Sequence, residues 1–573
     1  MENKKRIAIL GGGPSGLFMF KRLVDANDSS LTIDIFERKQ QLGTGMPYSA
    51  DGANDEHITN VSGNEIPDLV TSISDWIKTV SKDTLDKFHI DPKKFNDFKV
   101  LPRLLFGQYL SAQFALLQQQ AKNAGLDFKV HYNSQVTDII DYPDQEMVMI
   151  EIAGEEKLAY DQVIICTGHN WPRKYEATIP GYFDSPYPPS KLALQLNHPV
   201  AIRGASLTAI DAIRTLTRHN GTYAKDGDGI LHYTLKDNSK GFKLVMHSRN
   251  GLLPALRFHL EDSHLAKDSV LSAEVINANR AQNEGFLSLD YVFEENFKKM
   301  IADKEPEFFE EIKDMSMEDF VAMMMNMREH IDPFKLLRAE YIEAEKSIKR
   351  KKSVYWKEML AVLSFAMNYP AKYFSAEDML RLQKGLMPLI SIVIAFVPQS
   401  SVEEMLALHQ AGVLEIVSVG EDSYTEPNSD GGATYYYTDD EGNKYAPTFE
   451  TFVDCVGQPH LAYDDLPYKS LVDKQTVSPA QLKFRDAAKG AEAIQNENKK
   501  VETDGKGNYY LNVPGITIND NFQPVDAYGA FNNRIYIMAV PYIGGYNPDY
   551  SGLDFCEAAS ANIVKSMLKT ETV

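Results

Sequence analysis

The sequence predicts an α/β protein in which two strand–turn–helix units, one nested inside the other, enclose a helical insertion. Three observations predict it. An apolar run that passes into small residues and then an amphipathic stretch occurs twice, at residues 6–24 and 198–216. A short apolar strand running into glycine also occurs twice, at 163–166 before Thr167-Gly168 and at 452–455 before Val456-Gly457. Between the second turn and the second such strand, residues 254–386 change texture to long amphipathic helices.

Composition bounds the function. The chain has 573 residues, enough for two or three domains, and its 43% hydrophobic and 24% charged content is ordinary for a folded protein. Acidic side chains number 80 against 59 basic ones, a formal net charge of −21. That balance disfavours nucleic acid and anionic membrane surfaces as partners, while leaving room for a small-molecule substrate in a local pocket. The apolar run at residues 7–10 is too short for a signal peptide, and no stretch is long enough to span a membrane. Three dispersed cysteines form no CxxC pair and no zinc spacing, so neither a disulfide framework nor a metal site is expected. The expectation is a reduced, cytoplasmic protein; oligomeric state is not legible.

The elements follow in order. Residues 6–10 read as a buried strand, 11–16 as a tight turn, 17–24 as a helix and 31–36 as a second strand, a compact βαβ unit. A helix is expected at 104–124, a small antiparallel element from 128–132, 135–140 and 147–152, and a short strand at 163–166. Residues 172–189, rich in Pro, Tyr and Gly, read as a linker. The second strand–turn–helix is followed by a strand at 243–247. Helices are expected at 317–328, 333–361, 376–384 and 402–411, strands at 389–395 and 413–419, and a polar hairpin at 421–443. A strand at 534–540 and a helix at 553–568 close the chain. The resulting division is a first domain from 1–190 and 450–573, a second from 191–253 and 387–449, and a helical insertion at 254–386.

Gly11, Gly13 and Gly16 form GxGxxG directly after a strand and at the head of a helix. The first glycine permits the turn, the second lets backbone approach a pyrophosphate, and the third lets helix and strand pack closely. Glu37 ends the next strand about 20 residues on, where a carboxylate can accept from ribose hydroxyls. Position and spacing together mark a dinucleotide site rather than a glycine-rich turn.

GGGPSG followed by Ile35-Phe36-Glu37-Arg38 resembles the FAD fingerprint of the two-dinucleotide-domain flavoproteins related to glutathione reductase and flavin monooxygenases. Gly43-Thr44-Gly45-Met46-Pro47-Tyr48-Ser49, His57-Ile58-Thr59-Asn60-Val61, Leu101-Pro102-Arg103 and Gly107-Gln108-Tyr109-Leu110 are similar to a bacterial FAD/NAD(P)-binding protein family. The resemblance implies an FAD-binding Rossmann-like domain carrying an inserted NAD(P)-binding Rossmann-like domain. Expected FAD-binding residues are Gly11, Gly13, Pro14, Ser15, Gly16, Glu37, Arg38 and Gly45. The resemblance adds Val136 through its backbone, and Asn60, Arg103, Thr167 and Gly168 along the cofactor. Equally open for Arg103 is a salt bridge at a helix start, and for Asn60 a turn. His57 and His169 adjoin presumed flavin loops, but a lone histidine is more often a loop or core residue than an acid–base group.

Gly204-Ala205-Ser206-Leu207-Thr208-Ala209 is the second turn, GxSxxA rather than GxGxxG. Gly204, Ser206 and Thr208 are the expected NAD(P) contacts. The following strand ends in Ser248-Arg249 instead of an acidic residue, which favours NADPH over NADH because the two can hold a 2′-phosphate. The alternative is a degenerate half retained for packing.

Near the carboxyl terminus, relatives place Gly-Asp after the last strand; here Pro541-Tyr542 stands instead, which removes the expected ribityl contact. The loop that follows, with Tyr546, Asn547, Tyr550 and Gly552, and a helix N-cap at Ser551, is expected near the flavin ring. Residues 43–64 contain no cysteine, so disulfide exchange through a flavin-side pair is excluded. No catalytic residue is assigned. The leading function is an FAD-dependent oxidoreductase taking hydride from NADPH or NADH and acting on a small organic substrate, with monooxygenation attractive. The FxGxxxHS motif of that class is absent, Tyr182-Phe183-Asp184-Ser185 standing in its place. A dehydrogenase or oxidase with a silent nicotinamide site, and a non-catalytic flavin-binding regulator, are the alternatives. The insertion is expected to cap the active site.

Overall fold

A computed structural model describes residues 4–153, 157–168, 171, 173–261, 271–368, 370–458, 460–548 and 552–569. Its frame is a pair of parallel five-stranded sheets. The first runs in the order Ile535–Ile537, Gln162–Ile165, Lys5–Leu10, Leu31–Phe36, Asp127–His131. Ile7, Ala8, Ile9 and Leu10 are all buried, as a central strand covered on both faces requires. One face is covered by the helix Pro14–Ala26, packed against Arg103–Asn123 and Leu553–Lys569. An Arg22–Glu557 ion pair joins the first and last of these helices. The antiparallel strands Val136–Tyr142, Met147–Ile152 and Lys157–Tyr160 cover part of the opposite face.

The second sheet repeats the plan: Tyr182–Phe183, Thr451–Asp454, Pro199–Arg203, Lys243–Ser248, Leu414–Ser418. Helices Leu207–Asn220 and Gln399–Gln410 lie against it. The hairpin Tyr424–Pro427 and Ala433–Thr438 packs on the other side, where His247 stacks on Tyr435 with ring centroids 4.1 Å apart. Burial lowers the His247 pKa to about 4, so this ring is a neutral core group.

The α/β class expected from the sequence is the class observed, and the repeated strand–turn–helix is real. Four local expectations are corrected. The strand at 128–132 joins the first parallel sheet, beside Leu31–Phe36, and not the antiparallel element. Residues 451–454, assigned to the first domain, pair with Pro199–Arg203 in the second sheet, and so does Tyr182–Phe183 through them. Apolar runs of this length suit either sheet, and only the pairing decides. The expected strand at 389–395 is the helix Met387–Val393, followed by Ile394 and Ala395. A run with almost no polar residues carries no sequence periodicity to tell strand from helix, and Pro388 follows closely on the π-helical turn Leu382–Leu386, where the regular i→i−4 ladder is already interrupted. The long helix expected at 333–361 is broken into Pro333–Arg350 and Tyr355–Met367, with Lys351 left-handed at φ 53°. Residues 349–352, Lys-Arg-Lys-Lys, have no apolar side chain to bury, and the chain turns there. The antiparallel sheet Pro479–Lys483, Tyr509–Ile516, Val501–Thr503 is an element the sequence reading did not include. Among the described residues, no helix is long and apolar enough to cross a membrane.

Candidate active site

The first turn excludes side chains at each of the three glycines of GxGxxG for a different reason. Gly11 has φ +108°, and a Cβ there would lie 2.8 Å from the Cys166 carbonyl oxygen. A Cβ on Gly16 would fall 2.1 Å from the Gly11 oxygen, so helix and strand could not close. On Gly13 it would lie 3.2 Å from the Gly45 Cα, filling the space between the two loops. Gly13 is the N-cap of Pro14–Ala26 and supplies no side-chain cap, which leaves the first-turn N–H groups for another acceptor. They face a cleft of about 1560 Å³, including space open to solvent.

Gly11, Gly13, Pro14, Ser15, Glu37, Arg38, Gly45, Val136, Thr167, Gly168 and Gly552 line this one cleft. Gly16 lies beneath the turn. Glu37 is buried, its carboxylate accepting from the backbone N–H groups of Gly12 and Lys39 at 2.9 Å each. It therefore braces the turn as well as facing the cleft.

The sequence reading missed several walls of the cleft, notably Tyr468, Tyr542, Cys166 and Cys556. Thr167 donates to the Tyr542 hydroxyl at 3.3 Å. The signal for Tyr542 was present: it follows the last strand, where relatives carry aspartate. Burial pushes the Cys166 thiol up and the Cys556 thiol to about 12, so both are held protonated.

Three expectations move. Tyr546 is not on the cleft: its ring is buried and its hydroxyl donates to the Gln481 carbonyl at 3.3 Å. Close backbone contact draws this loop inward, since a Cβ on Gly545 would overlap Val513 and Pro514. Asn60 and Arg103 line a second cavity of about 810 Å³ instead. His57, fully buried, lines neither; Nδ1 accepts from the Asn54 N–H at 2.8 Å, so Nε2 carries the proton toward the Asp211 carbonyl at 3.1 Å. Burial lowers its pKa and keeps it neutral. His169, Tyr550 and Ser551 lie outside the described residues.

The second turn copies the first. Gly204 has φ +104°, and a Cβ there would lie 2.8 Å from the Cys455 carbonyl oxygen. Ser206 is the exposed N-cap of Leu207–Asn220 with no side-chain cap bond, and Ala209 is fully buried at the third position.

The two units meet at a buried joint. Arg103 donates to Asp211 Oδ2 at 2.5 Å and to the Ile58 carbonyl at 3.1 Å, and the Tyr187 hydroxyl donates to Asp211 at 2.6 Å. Burial is the largest influence and opposes ionisation of Asp211, but the Arg103 charge, the neighbouring His57 and the hydrogen bonds from Tyr187 and Arg103 together outweigh it and hold the carboxyl below its usual range. Above this joint lies the second cavity, which shares Met46, Pro47 and Tyr48 with the cleft and adds Trp171, Tyr187, Thr208 and Gln458. A cap from the insertion was expected, but among the described residues none of the walls comes from 254–386. Arg257, at the edge of that insertion, reaches the loop instead, donating to the Asn60 carbonyl and, at 2.7 Å, to Ser62.

Ser248 ends its strand with its hydroxyl donating to Asn250 at 3.3 Å. Arg249 is exposed and lines a third cavity of about 920 Å³. Among the described residues, no group of three or more His, Cys, Asp or Glu is placed to hold a metal.

Residues 8–170, which carry the first turn and most of the cleft, match the model of a family described as FAD-NAD(P)-binding. They form an FAD-NAD(P)-binding domain. FAD and NAD(P)H are the cofactors that this domain and its duplicated turn imply. The glycine cradle and uncapped helix start of the FAD-NAD(P)-binding domain fit a dinucleotide pyrophosphate. Residues 272–394 match a YdhS-like middle domain. Over 477 residues the chain is 28% identical to uncharacterized protein YdhS of Escherichia coli strain K12, covering 82% of this chain and 86% of that protein. Among solved structures, it is similar to L-lysine 6-monooxygenase from Pseudomonas syringae at 11% identity and TM-score 0.48, covering 99% and 100% of the two chains. It is also similar to the FAD-bound cadaverine monooxygenase DfoA from Erwinia amylovora, at 12% identity and TM-score 0.43, covering 98% and 94%.

Proposed function

We propose that the protein is an FAD-dependent oxidoreductase that accepts hydride from NADPH or NADH and acts on a small organic substrate. The observation that carries the reading is the shared wall: Met46, Pro47 and Tyr48 belong both to the cleft below the first turn and to the cavity that Thr208 of the second turn enters. The glycine turn and the start of Pro14–Ala26 bind the pyrophosphate of FAD, with Glu37 toward the ribose and Val136 beside the adenine. Thr167, Tyr542 and Tyr468 replace the missing aspartate along the polyol. Bound there, FAD supplies two-electron exchange with a nicotinamide. The second turn, with Gly204 and Ser206, holds the nicotinamide nucleotide, and Ser248 with Arg249 favours NADPH. Trp171, Tyr187 and Tyr48 screen the second cavity from water, and Asn60, Thr208 and Gln458 supply polar contacts for whatever enters it.

Anaerobic titration of the purified yellow protein with NADPH, and separately NADH, tests this. Loss of flavin absorbance on addition of either nucleotide is expected. A flavin that neither nucleotide bleaches would sink the nicotinamide role and leave a direct dehydrogenase or oxidase. For the monooxygenase form, the expected result is a product carrying one atom from labelled O₂ per NADPH consumed, the other leaving as water. Nucleotide oxidation yielding only hydrogen peroxide with every substrate tried would overturn that form.

A further inference from the structure

We infer that the middle domain sets nucleotide preference, with Glu329 as a specificity-determining residue; this rests on the second turn being the nicotinamide-nucleotide site. The third cavity opens where the second sheet's strands Lys243–Ser248 and Leu414–Ser418 end. In a parallel nucleotide-binding sheet that is the side on which the adenosine ribose lies. Arg249 and Asn250 come from the first of these strands' exit loop and Ser418 from the second. Part of the wall belongs to the insertion: Glu329 ends the helix Met317–Glu329, and Ile331 and Pro333 lead into the next. Asp332, between them, is turned away to cap that next helix, accepting from the Lys335 N–H at 2.9 Å. The loop thus offers Glu329 and an exposed Ile331 to the cavity.

The charges decide what the cavity favours. Among the described residues Arg249 is its one cation, and Glu329 and Asp440 are its carboxylates. A 2′-phosphate is attracted by the guanidinium and repelled by the carboxylates, whereas an unmodified 2′-hydroxyl can donate to either carboxylate. Glu329 therefore weakens NADPH selectively and leaves NADH usable. The insertion, which does not wall the cavity at the joint, acts at the far end of the nucleotide.

Glu329 is exposed at a helix end, so Glu329→Gln keeps the packing. Steady-state oxidation of NADPH and of NADH by the flavin-loaded full chain, wild type and variant, reads the effect. In Glu329→Gln the KM for NADPH should fall about threefold to tenfold at low salt, the size of one partly screened charge contact, while the KM for NADH should not fall. Asp440→Asn should act in the same direction. An NADPH KM within error of wild type, or equal changes for both nucleotides, would overturn the specificity role while leaving the oxidoreductase reading in place. Failure of the wild type to oxidise either nucleotide would overturn both.

Discussion

Replacing Asp211 with alanine should loosen the joint between the two sheets while leaving the long cleft's lining untouched. Asp211 is 5% exposed and accepts from Arg103 at 2.5 Å and from Tyr187 at 2.6 Å. The variant leaves the Arg103 guanidinium buried, with the Ile58 carbonyl as its remaining acceptor among these contacts. Breaking a buried ion pair from one side costs about 3–5 kcal/mol. The Tyr187 bond adds less than its isolated worth because the same carboxylate serves both donors, so a total near 4 kcal/mol is expected. Urea unfolding followed by tryptophan fluorescence on Asp211→Ala, Arg103→Met and the pair Arg103→Met/Asp211→Ala supplies the measurement. The double variant should be more stable than Asp211→Ala, since it leaves no unpaired buried charge. A cost below about 1 kcal/mol for Asp211→Ala, or strict additivity in the cycle, would refute an ion pair as the source of the joint's stability. The pH dependence adds a sign. With its pKa depressed in the fold, Asp211 contributes stability that is present above its unfolded value of about 3.9 and is lost as pH falls through the lower folded value. Wild type should therefore lose stability more steeply than Asp211→Ala below about pH 4.

Three further outcomes are expected. Gly13→Ala should fold but retain little flavin, because its φ of −75° suits alanine while the new Cβ occupies the space before Gly45; Gly11→Ala, at φ +108° and 2.8 Å from the Cys166 carbonyl, should lose about 1–3 kcal/mol of stability to backbone strain alone. Flavin content and melting temperature separate the two, and equal behaviour would contradict the division of labour. Tyr542→Phe removes the acceptor for Thr167 and should weaken flavin retention by roughly twofold to tenfold, the worth of one hydrogen bond, as read by dialysis against apoprotein. Arg249→Ala should raise the KM for NADPH by at least about tenfold, as loss of a charge-assisted contact implies, and leave that for NADH near wild type; parallel changes would place the 2′-phosphate elsewhere.

Much of the fold was legible because it is repeated. Gly11 and Gly204 each follow an apolar strand and precede a helix; such local patterns need no long-range information. The nucleotide cleft was legible for the same reason, since Gly11, Gly13, Pro14, Ser15 and Glu37 are neighbours in one βαβ unit. Tyr468 and Cys556 were not, because they reach the cleft from segments hundreds of residues away, with no motif of their own. The helix Met387–Val393 was expected as a strand because its exposed face is almost as apolar in sequence as its buried one and so does not reveal the period.

By itself the sequence determined the two turns, the parallel α/β class and the lack of a cysteine pair in the flavin-side loop. The tertiary structure alone decided that Thr451–Asp454 belongs to the second sheet, that Arg103 is paired with Asp211, and that Tyr546 is buried under Gln481. It also brought Glu329 of the middle domain to the cavity that Arg249 lines. Turn geometry is dictated by the φ that adjacent residues can adopt, whereas strand partners and buried ion pairs depend on which distant surfaces exclude water together.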